Sequence, residues 1–287
     1  MKVAILGTGL MGYGMAEVLA GTDGIELTAW NRSRDKAAPL ADAGAAVADD
    51  PASAVAGAEV VITMLFDTDA VLDVMERARP SLPDGVVWLQ TSTVGLEGSD
   101  RIAAWAAEHG VALLDAPVLG TKKPAAEGAL VVLASGDPAL ADRARPVLDA
   151  IGSRTVWVGD RPGPASALKL AANAWVLTLT TGTAQSIALA QALGLDGRLF
   201  LDAIQGTATD SPYAHVKGGA ILSGDFTASF PVEGGLKDLG LIRAAAEGRI
   251  DAGVVDAVRG AFQRAADGGH GDDDLAGVYH GLTRGEG

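Results

Sequence analysis

The sequence contains no cysteine, which excludes every chemistry that depends on a thiol. Disulfide bonds, thiolate catalysis and cysteine-ligated zinc sites cannot form from its own side chains. Basic residues are also few: 22 lysines and arginines stand against 36 aspartates and glutamates, and the formal net charge is −14. Nucleic-acid binding depends on clustered lysine and arginine that neutralise phosphates, so we expect no nucleic-acid partner.

The chain also lacks an obvious targeting or membrane segment. Its first residues lead directly into a glycine-rich loop and leave no room for a signal peptide, so we expect a cytoplasmic protein. Between Lys169 and Asp196 there is no charged residue, a length that could span a bilayer. That segment carries many hydroxyl and amide side chains, which are costly in lipid. We therefore expect a helix buried between domains or subunits, and no membrane partner.

The chain has two parts with different patterns. Short aliphatic runs at 3–6, 27–30, 60–64, 86–89, 112–114, 130–133 and 155–158 alternate with alanine-rich stretches. Apolar strands separated by helices predict a mostly parallel sheet covered on both faces. After residue 159 only helical patterns remain, first a long helix at 164–193 and then helices near 199–204, 236–247 and 253–266. We predict an α/β fold in which a doubly wound domain, 1–160, precedes an all-α domain, 161–287.

A G-x-G-x-x-G motif follows the first predicted strand and opens the first predicted helix. Its first glycine permits a tight turn, its second lets the backbone approach a pyrophosphate, and its third allows close helix–strand packing. The helix N-terminus then offers free N–H groups to the phosphates. The strand–loop–helix context makes the motif a dinucleotide-binding prediction. The predicted cofactor-binding residues are Gly7, Thr8, Gly9, Leu10, Met11 and Gly12.

The end of the second predicted strand favours NADP(H) over NAD(H). About twenty residues after the glycine motif, an acidic side chain would bind the ribose 2′-hydroxyl and repel a 2′-phosphate. Here the strand leads into Asn31, Arg32 and Ser33, and the first acid is Asp35. Arg32 can pair with a phosphate, and Asn31 and Ser33 can donate hydrogen bonds. Alternatively, Arg32 is an ordinary solvated loop charge.

Several ordered segments resemble the β-hydroxyacid dehydrogenases (3-hydroxyisobutyrate dehydrogenase-like proteins) over nearly the whole chain. They are residues 7–16, 91–93, 115–120, 163–173 and 237–239, and the run 120–128 resembles the glyoxylate and succinic semialdehyde reductase branch. The resemblance implies an N-terminal Rossmann domain and an all-α substrate and dimerisation domain built on a long interdomain helix. It also implies a homodimer that buries this helix.

The segment 163–173 resembles the catalytic-lysine segment of that family. Lys169 and Asn173 are four residues apart, so they project from one face of the predicted helix. An ammonium near a carbonyl oxygen stabilises the developing alkoxide and supplies the proton, so Lys169 is the predicted general acid/base. Asn173 would orient Lys169 or bind substrate. The alternative is a structural lysine at the start of an apolar helix.

The resemblance also carries over further cofactor contacts, each with a structural alternative. Leu65 and Phe66 follow a strand where the family's chain passes the ribose and nicotinamide, although Phe66 could be a core aromatic. Thr93 would contact cofactor or substrate through its hydroxyl, or serve only as a turn residue. Lys237 would reach the cofactor from the second domain, or be a solvated surface lysine.

The predicted substrate loop departs from the family at one position. Gly120 and Thr121 would present backbone N–H groups to a substrate carboxylate. Before that glycine the family usually has serine, whereas this chain has Leu119. A leucine cannot donate to a carboxylate, so we expect weak binding of glyoxylate and a preference for bulkier aldehydes or semialdehydes.

These patterns predict an NADPH-dependent oxidoreductase acting on a small aldehyde, semialdehyde or β-hydroxy acid. An imine reductase on the same scaffold is one alternative, although such enzymes usually lack lysine at the position of Lys169. A non-catalytic NADP-binding regulatory module is another. We expect no metal, and we interpret the acids that follow His270 as a helix N-cap and first turn.

Overall fold

A computed structural model describes residues 1–283 of the chain. The molecule divides into two compact units, Met1–Lys169 and the residues from Leu170 onward. The division falls inside a long helix. The proline- and glycine-rich segment 160–164, where the sequence pattern changes, lies at the start of that helix.

The first unit is built on a nine-stranded sheet with helices between its strands. The strands are β1 (Lys2–Leu6), β2 (Glu26–Trp30), β3 (Ala46–Val47), β4 (Val60–Thr63), β5 (Val87–Gln90), β6 (Ala112–Asp115), β7 (Val118–Leu119), β8 (Leu130–Gly136) and β9 (Gly152–Gly159). The helices are α1 (Leu10–Ala20), α2 (Pro51–Val55), α3 (Thr68–Ala78), α4 (Gly95–Glu108), α5 (Lys122–Ala126) and α6 (Ala141–Ile151).

The strand order is β3-β2-β1-β4-β5-β6-β8-β7, and β9 pairs with β8. All pairs from β3 to β6 are parallel, whereas β8 runs antiparallel to β6 and to β7. The predicted mostly parallel sheet is therefore confirmed. The antiparallel turn at β7 and β8 was not predicted, because a buried strand has the same apolar composition in either direction.

Alternate residues of the parallel strands β1, β2, β4, β5 and β6 enter two separate cores, one on each face of the sheet. In β1, Val3 and Ile5 belong to one core, and Ala4 and Leu6 belong to the other. Both cores are fully buried at these positions, which is why the strand is apolar throughout. The helices supply the covering layers: Met15 of α1 packs in the first core and Met75 of α3 in the second.

The topology brings three loops to one edge of the sheet. The chain leaves β1, adds β2 and β3 on one side, and then crosses to β4 and β5 on the other side. The order of strands thus reverses between β1 and β4, and ligands of open α/β sheets bind at such a point, beyond the carboxyl ends of the strands. The loops that follow β1, β4 and β5 contain residues 7–9, 64–66 and 91–93.

The second unit is entirely helical in its described part. The long helix α7 (Pro164–Ala192) crosses from the first unit, and it is followed by α8 (Arg198–Ile204), α9 (Pro212–Ser223), α10 (Val232–Ala246) and α11 (Gly253–Ala265). Gly194 follows α7 with a φ of 82°, the left-handed conformation in which a glycine commonly ends a helix. Helix α9 was not predicted, because two consecutive glycines, Gly218 and Gly219, interrupt its helical pattern.

Many of the hydroxyl groups on the uncharged helix α7 form hydrogen bonds within the helix itself. The hydroxyls of Thr180, Thr181, Thr183 and Ser186 each donate a 2.8–2.9 Å hydrogen bond to the carbonyl four residues earlier. Among residues 1–283, no helix combines the length and the apolar character that crossing a membrane requires.

Candidate functional site

The glycine loop after β1 has the shape that a dinucleotide phosphate requires. A Cβ at Gly7, whose φ is 105°, would collide with the carbonyl oxygen of Met64, and a Cβ at Gly12 would collide with that of Gly7. Nothing lies within 4 Å of the place where a Cβ of Gly9 would stand. The loop is therefore tightly packed at Gly7 and Gly12 and open at Gly9, where a pyrophosphate must approach the backbone closely.

Two polar features of this loop also fit a phosphate-bearing ligand. Helix α1 begins at Leu10 with Gly9 as its N-cap, and no side chain caps its first turn. The Oγ1 of Thr8 is buried and has no hydrogen-bond partner among the described residues. A helix N-terminus with uncapped amides and a buried, unpartnered hydroxyl form a ready site for phosphate oxygens.

After β2, Asn31 forms hydrogen bonds that connect two loops, whereas the neighbouring Arg32 is exposed. Asn31 Oδ1 accepts a 3.1 Å hydrogen bond from the backbone N–H of Thr8, and its Nδ2 donates to the carbonyl of Ser33 at 3.0 Å. Asn31 thus joins the loops after β1 and β2. Arg32 is exposed, and no carboxylate within residues 1–283 forms an ion pair with it, whereas Arg34 is paired with Asp49 at 2.7 Å.

The loops after β4 and β5 are tied together beside the glycine loop. The backbone N–H of Leu65 donates to Ser92 Oγ at 2.9 Å, and Gln90 Oε1 accepts from the backbone N–H of Ser92 at 2.8 Å. Phe66 extends from this scaffold and is 57% exposed, so it is not a core aromatic in this structure. Thr93 is half-buried in the next loop.

Lys169 is a buried lysine on the first turns of α7. Its side chain is 8% exposed, and Nζ donates a 2.8 Å hydrogen bond to the carbonyl oxygen of Val118 in β7. A lysine that only covers the start of an apolar helix would keep its ammonium in water. The burial of Lys169 therefore fits an ammonium that is held for a specific contact.

Asn173 and Lys237 meet at a third residue, Asp238, within the second unit. Asn173 Nδ2 donates to Asp238 Oδ2 at 2.6 Å, and Lys237 Nζ lies 3.0 Å from Asp238 Oδ1. Asp238 is 2% exposed. We expected a role for Lys237 but assigned none to the neighbouring acid. The signal that could have found it is the polar pair at 237–238 inside an apolar helical pattern.

The predicted substrate loop follows β7. Gly120 is exposed with a φ of 131°, and a Cβ there would stand 2.7 Å from Leu130 Cδ2. Leu119 is half-buried, and Thr121 precedes α5 without a side-chain cap of that helix. Glycine is therefore favoured at 120 for its backbone conformation and for the space around it.

The segment after His270 differs in part from our expectation. Asp274 caps the following 3₁₀ helix (Leu275–Gly281) through the backbone N–H of Ala276, so its acidic neighbours precede the cap and do not lie in the first turn. His270 Nδ1 lies 2.7 Å from Asp273 Oδ2, and its ring stacks on His280 with centroids 3.7 Å apart. These three side chains could approach one metal ion. However, the rings are parallel within 9°, so their in-plane lone pairs do not converge.

Two family descriptions match the chain in order, and together they cover nearly all of it. The first, the NAD binding domain of 6-phosphogluconate dehydrogenase, matches residues 2–159. The second, NAD-binding of NADP-dependent 3-hydroxyisobutyrate dehydrogenase, matches residues 163–282. The two matches meet at the start of α7 and include all of the candidate site residues.

Individual relatives also match over almost the whole length. The chain is 31% identical over 282 residues to glyoxylate/succinic semialdehyde reductase 1 of Arabidopsis thaliana, which covers 97% of both proteins. The structure of 3-hydroxyisobutyrate dehydrogenase from Salmonella typhimurium is similar with a TM-score of 0.89 and 26% identity, over 97% of this chain and 99% of that one. An imine reductase from Myxococcus stipitatus, in complex with NADP⁺, has a TM-score of 0.68 and 26% identity, over 99% of this chain and 100% of that one.

Proposed function

The chain belongs to the β-hydroxyacid dehydrogenase family, whose members include the 3-hydroxyisobutyrate dehydrogenases, and we propose that it is an NADPH-dependent reductase of small aldehydes or semialdehydes. In the reverse direction it would oxidise the corresponding β-hydroxy acids. The observation that carries this proposal is the buried ammonium of Lys169, held by the carbonyl of Val118 at 2.8 Å. As a member of this family the protein is an NAD(P)-dependent oxidoreductase.

The cofactor would be held by the glycine loop and by the residues after β2. The N–H groups of Leu10 and Met11 and the hydroxyl of Thr8 would bind the pyrophosphate. Arg32 and Ser33 would bind a ribose 2′-phosphate, which makes NADP(H) the preferred cofactor. Leu65, Phe66 and Thr93 would pack against the ribose and nicotinamide, and Lys237 would approach the cofactor from α10. When bound, the reduced nicotinamide supplies a hydride.

Lys169 would supply the proton that the reduced carbonyl needs. Its Nζ has three N–H groups, and the carbonyl of Val118 accepts one of them. A second N–H can donate to the substrate oxygen, stabilise the negative charge that develops there, and transfer its proton. The contact with Val118 fixes the direction of the ammonium, so less orientation entropy is lost when the substrate binds.

The substrate would be bound by the loop after β7 together with Asn173. The backbone N–H groups of Gly120 and Thr121 can receive a carboxylate or another polar end. Leu119 adds apolar surface beside them and takes the place of a donor, which favours a substrate with an alkyl or aryl group over glyoxylate. Asp238 accepts from the amide of Asn173 and would fix the direction in which that amide faces the substrate.

Imine reduction is a second candidate, favoured by the similarity to the imine reductase structure. A panel of small aldehydes, semialdehydes, glyoxylate and cyclic imines, assayed with NADPH and with NADH, separates the two activities. We expect consumption of NADPH with semialdehydes or bulkier aldehydes and little with imines. Oxidation of NADPH with imines alone would refute aldehyde reduction and favour imine reduction. Tight NADPH binding without turnover of any compound would favour a regulatory module.

We also propose a homodimer that buries α7. Residues spaced by three or four along this helix form an uncharged, largely exposed stripe: Ala171, Trp175, Thr178, Gly182, Gln185, Leu189 and Ala192. Trp175 is 65% exposed, and Leu189 lines a groove of about 1100 Å³ that α11 also borders. An uncharged surface that exposes large apolar side chains in this way is typical of a subunit interface.

Light scattering on the wild type and on Trp175→Glu tests the dimer. We expect twice the monomer mass at micromolar concentration for the wild type and a large loss of dimer in the variant. Val216→Glu is a matched control, because Val216 is equally exposed on α9. A monomeric wild type would refute the proposal.

A further inference from the structure

Asp115 is a buried acid at the end of β6 that the proposed chemistry does not use. It is 2% exposed, and its carboxylate accepts three hydrogen bonds from one short segment. Oδ2 accepts from the backbone N–H of Gly163 at 3.1 Å and from that of Ser166 at 2.9 Å, and Oδ1 accepts from Ser166 Oγ at 2.8 Å. Gly163 directly precedes α7, and Ser166 lies in its first turn.

These bonds cap the helix that carries Lys169. The first four N–H groups of a helix have no partner within it, and a nearby side chain usually satisfies them. Here the cap comes from a strand 51 residues earlier in the chain. The backbone N–H of Ala165 is likewise satisfied by Ser135 Oγ of β8 at 3.0 Å. The sheet of the first unit therefore fixes both the position and the direction of the first turn of α7.

The segment that begins at Asp115 also holds the Lys169 ammonium. Val118, three residues after Asp115, accepts from Lys169 Nζ at 2.8 Å. The two contacts thus connect one segment, 115–118, to two points on α7 that are three residues apart, Ser166 and Lys169. A displacement of the helix start relative to β6 would change the place of the ammonium relative to its acceptor.

Burying a carboxylate is energetically unfavourable, so a surface residue would cap the helix at lower cost. We infer that Asp115 serves to fix the start of α7 to the sheet. Burial raises the pKa of Asp115, and the hydrogen bonds from Ser166 and Gly163 oppose that rise. By contrast, Asp50 caps α2 with the same two kinds of contact, to Ser53 N and Ser53 Oγ at 2.8 Å each, but it does so locally and at the surface. A local cap stabilises a helix end without fixing it to the sheet.

We propose that Asp115 is a positioning residue for Lys169, acting through Ser166 and the first turn of α7. This rests on the proposed function, in which Lys169 is the proton donor. Asp115 itself does not contact substrate or cofactor in this account. Its loss is expected to affect the chemical step, because displacement of a reacting group by about 1 Å can cost on the order of a hundredfold in rate.

The test compares two matched pairs of variants. Asp115→Asn and Ser166→Ala change the cap of α7, whereas Asp50→Asn and Ser53→Ala make the same chemical changes in the cap of α2. We expect Asp115→Asn to lower kcat by about 10- to 100-fold without changing the Kd for NADPH, and Ser166→Ala to lower it less. The two controls should keep the wild-type kcat. If Asp115→Asn does not fold, Ser166→Ala decides the question by the same criteria.

A measurement without turnover separates this proposal from the proposed function. In protein labelled with ¹⁵N-lysine, the Nζ signal of Lys169 is the one missing in Lys169→Arg. We expect Asp115→Asn and Ser166→Ala to shift that signal and the two controls to leave it in place. If the wild type reduces no aldehyde and the Lys169 signal still shifts in these two variants, the proposed function is refuted but the positioning of Lys169 is supported. A folded Asp115→Asn with wild-type kcat and an unshifted Lys169 signal would overturn the positioning role.

Discussion

The side-chain amide of Asn173 donates a 2.6 Å hydrogen bond to the carboxylate of Asp238. The second carboxylate oxygen of Asp238 lies 3.0 Å from Nζ of Lys237. One buried acid therefore joins a residue of α7 that we propose for substrate binding to a residue of α10 that we propose for cofactor binding. Asp238 links the two proposed roles through a single side chain.

Replacing Asp238 with alanine is expected to damage both stability and activity. The change leaves the Asn173 amide without this acceptor and removes the carboxylate that pairs with the Lys237 ammonium. An unsatisfied buried polar group costs about 1–3 kcal/mol of unfolding free energy. Urea denaturation measures that loss, and kcat/KM should fall in the same variant. Asp256→Ala is the control, since Asp256 forms an ion pair with Arg243 at the surface, where such pairs contribute about 0–1 kcal/mol. Equal destabilisation by both variants would contradict the assigned role.

Arg32 is expected to set the choice of cofactor. Arg32→Asp replaces an exposed cation with an anion that repels a 2′-phosphate and can accept from a 2′-hydroxyl. We expect the KM for NADPH to rise strongly and the KM for NADH to change little. Arg34→Asp should have a smaller effect, because Arg34 is already paired with Asp49. A wild type with equal kcat/KM for both cofactors would refute this assignment.

Leu119 is expected to disfavour short carboxylated substrates. Leu119→Ser restores a hydroxyl donor, and a hydrogen bond to a charged group contributes roughly 1.5–3 kcal/mol. The ratio of kcat/KM for glyoxylate to that for a bulkier aldehyde should therefore rise about tenfold or more. If the wild type already prefers glyoxylate and the variant has the same ratio, the substrate pocket is not built around this side chain.

His280 is expected to make stability fall in mild acid. Burial and, next, the charge of His270 lower the pKa of His280 below its ordinary value of 6.5, although Asp273 opposes this. The unfolded chain thus binds the proton more readily, so the contribution of neutral His280 is complete above about pH 6.5 and is lost as the pH falls through the lower, folded pKa. His280→Gln should reduce the loss of stability between about pH 7.5 and pH 5.5. Measured by urea denaturation, an unchanged loss in this variant would contradict the account.

The sequence predicts those elements whose local pattern determines their structure. Strand β1 is apolar at every buried position, and the glycines at 7, 9 and 12 form a short motif between this strand and the helix that follows it, so both were predictable. The helix α7 was also predictable, from Pro164 in its first turn to Gly194 beyond its end. In each case neighbouring residues carry the whole signal.

The remaining features depend on contacts between residues far apart in the chain. Asp115 reaches Ser166 across 51 residues and Asn173 reaches Asp238 across 65, and nothing local to any of them indicates the partner. His280 was missed beside His270 for the same reason. The acids that follow His270 were interpreted from their spacing, and only the structure identifies Asp274 as the residue that caps the following helix.

The most direct measurement for the whole account is single-turnover and steady-state kinetics of Lys169→Ala. Removing the ammonium should leave the Kd for NADPH unchanged and lower kcat by a factor of about a hundred or more, because only the step that needs the proton is affected. A variant that keeps kcat within a few fold of the wild type would show that the proton comes from another group and that Lys169 is a structural residue.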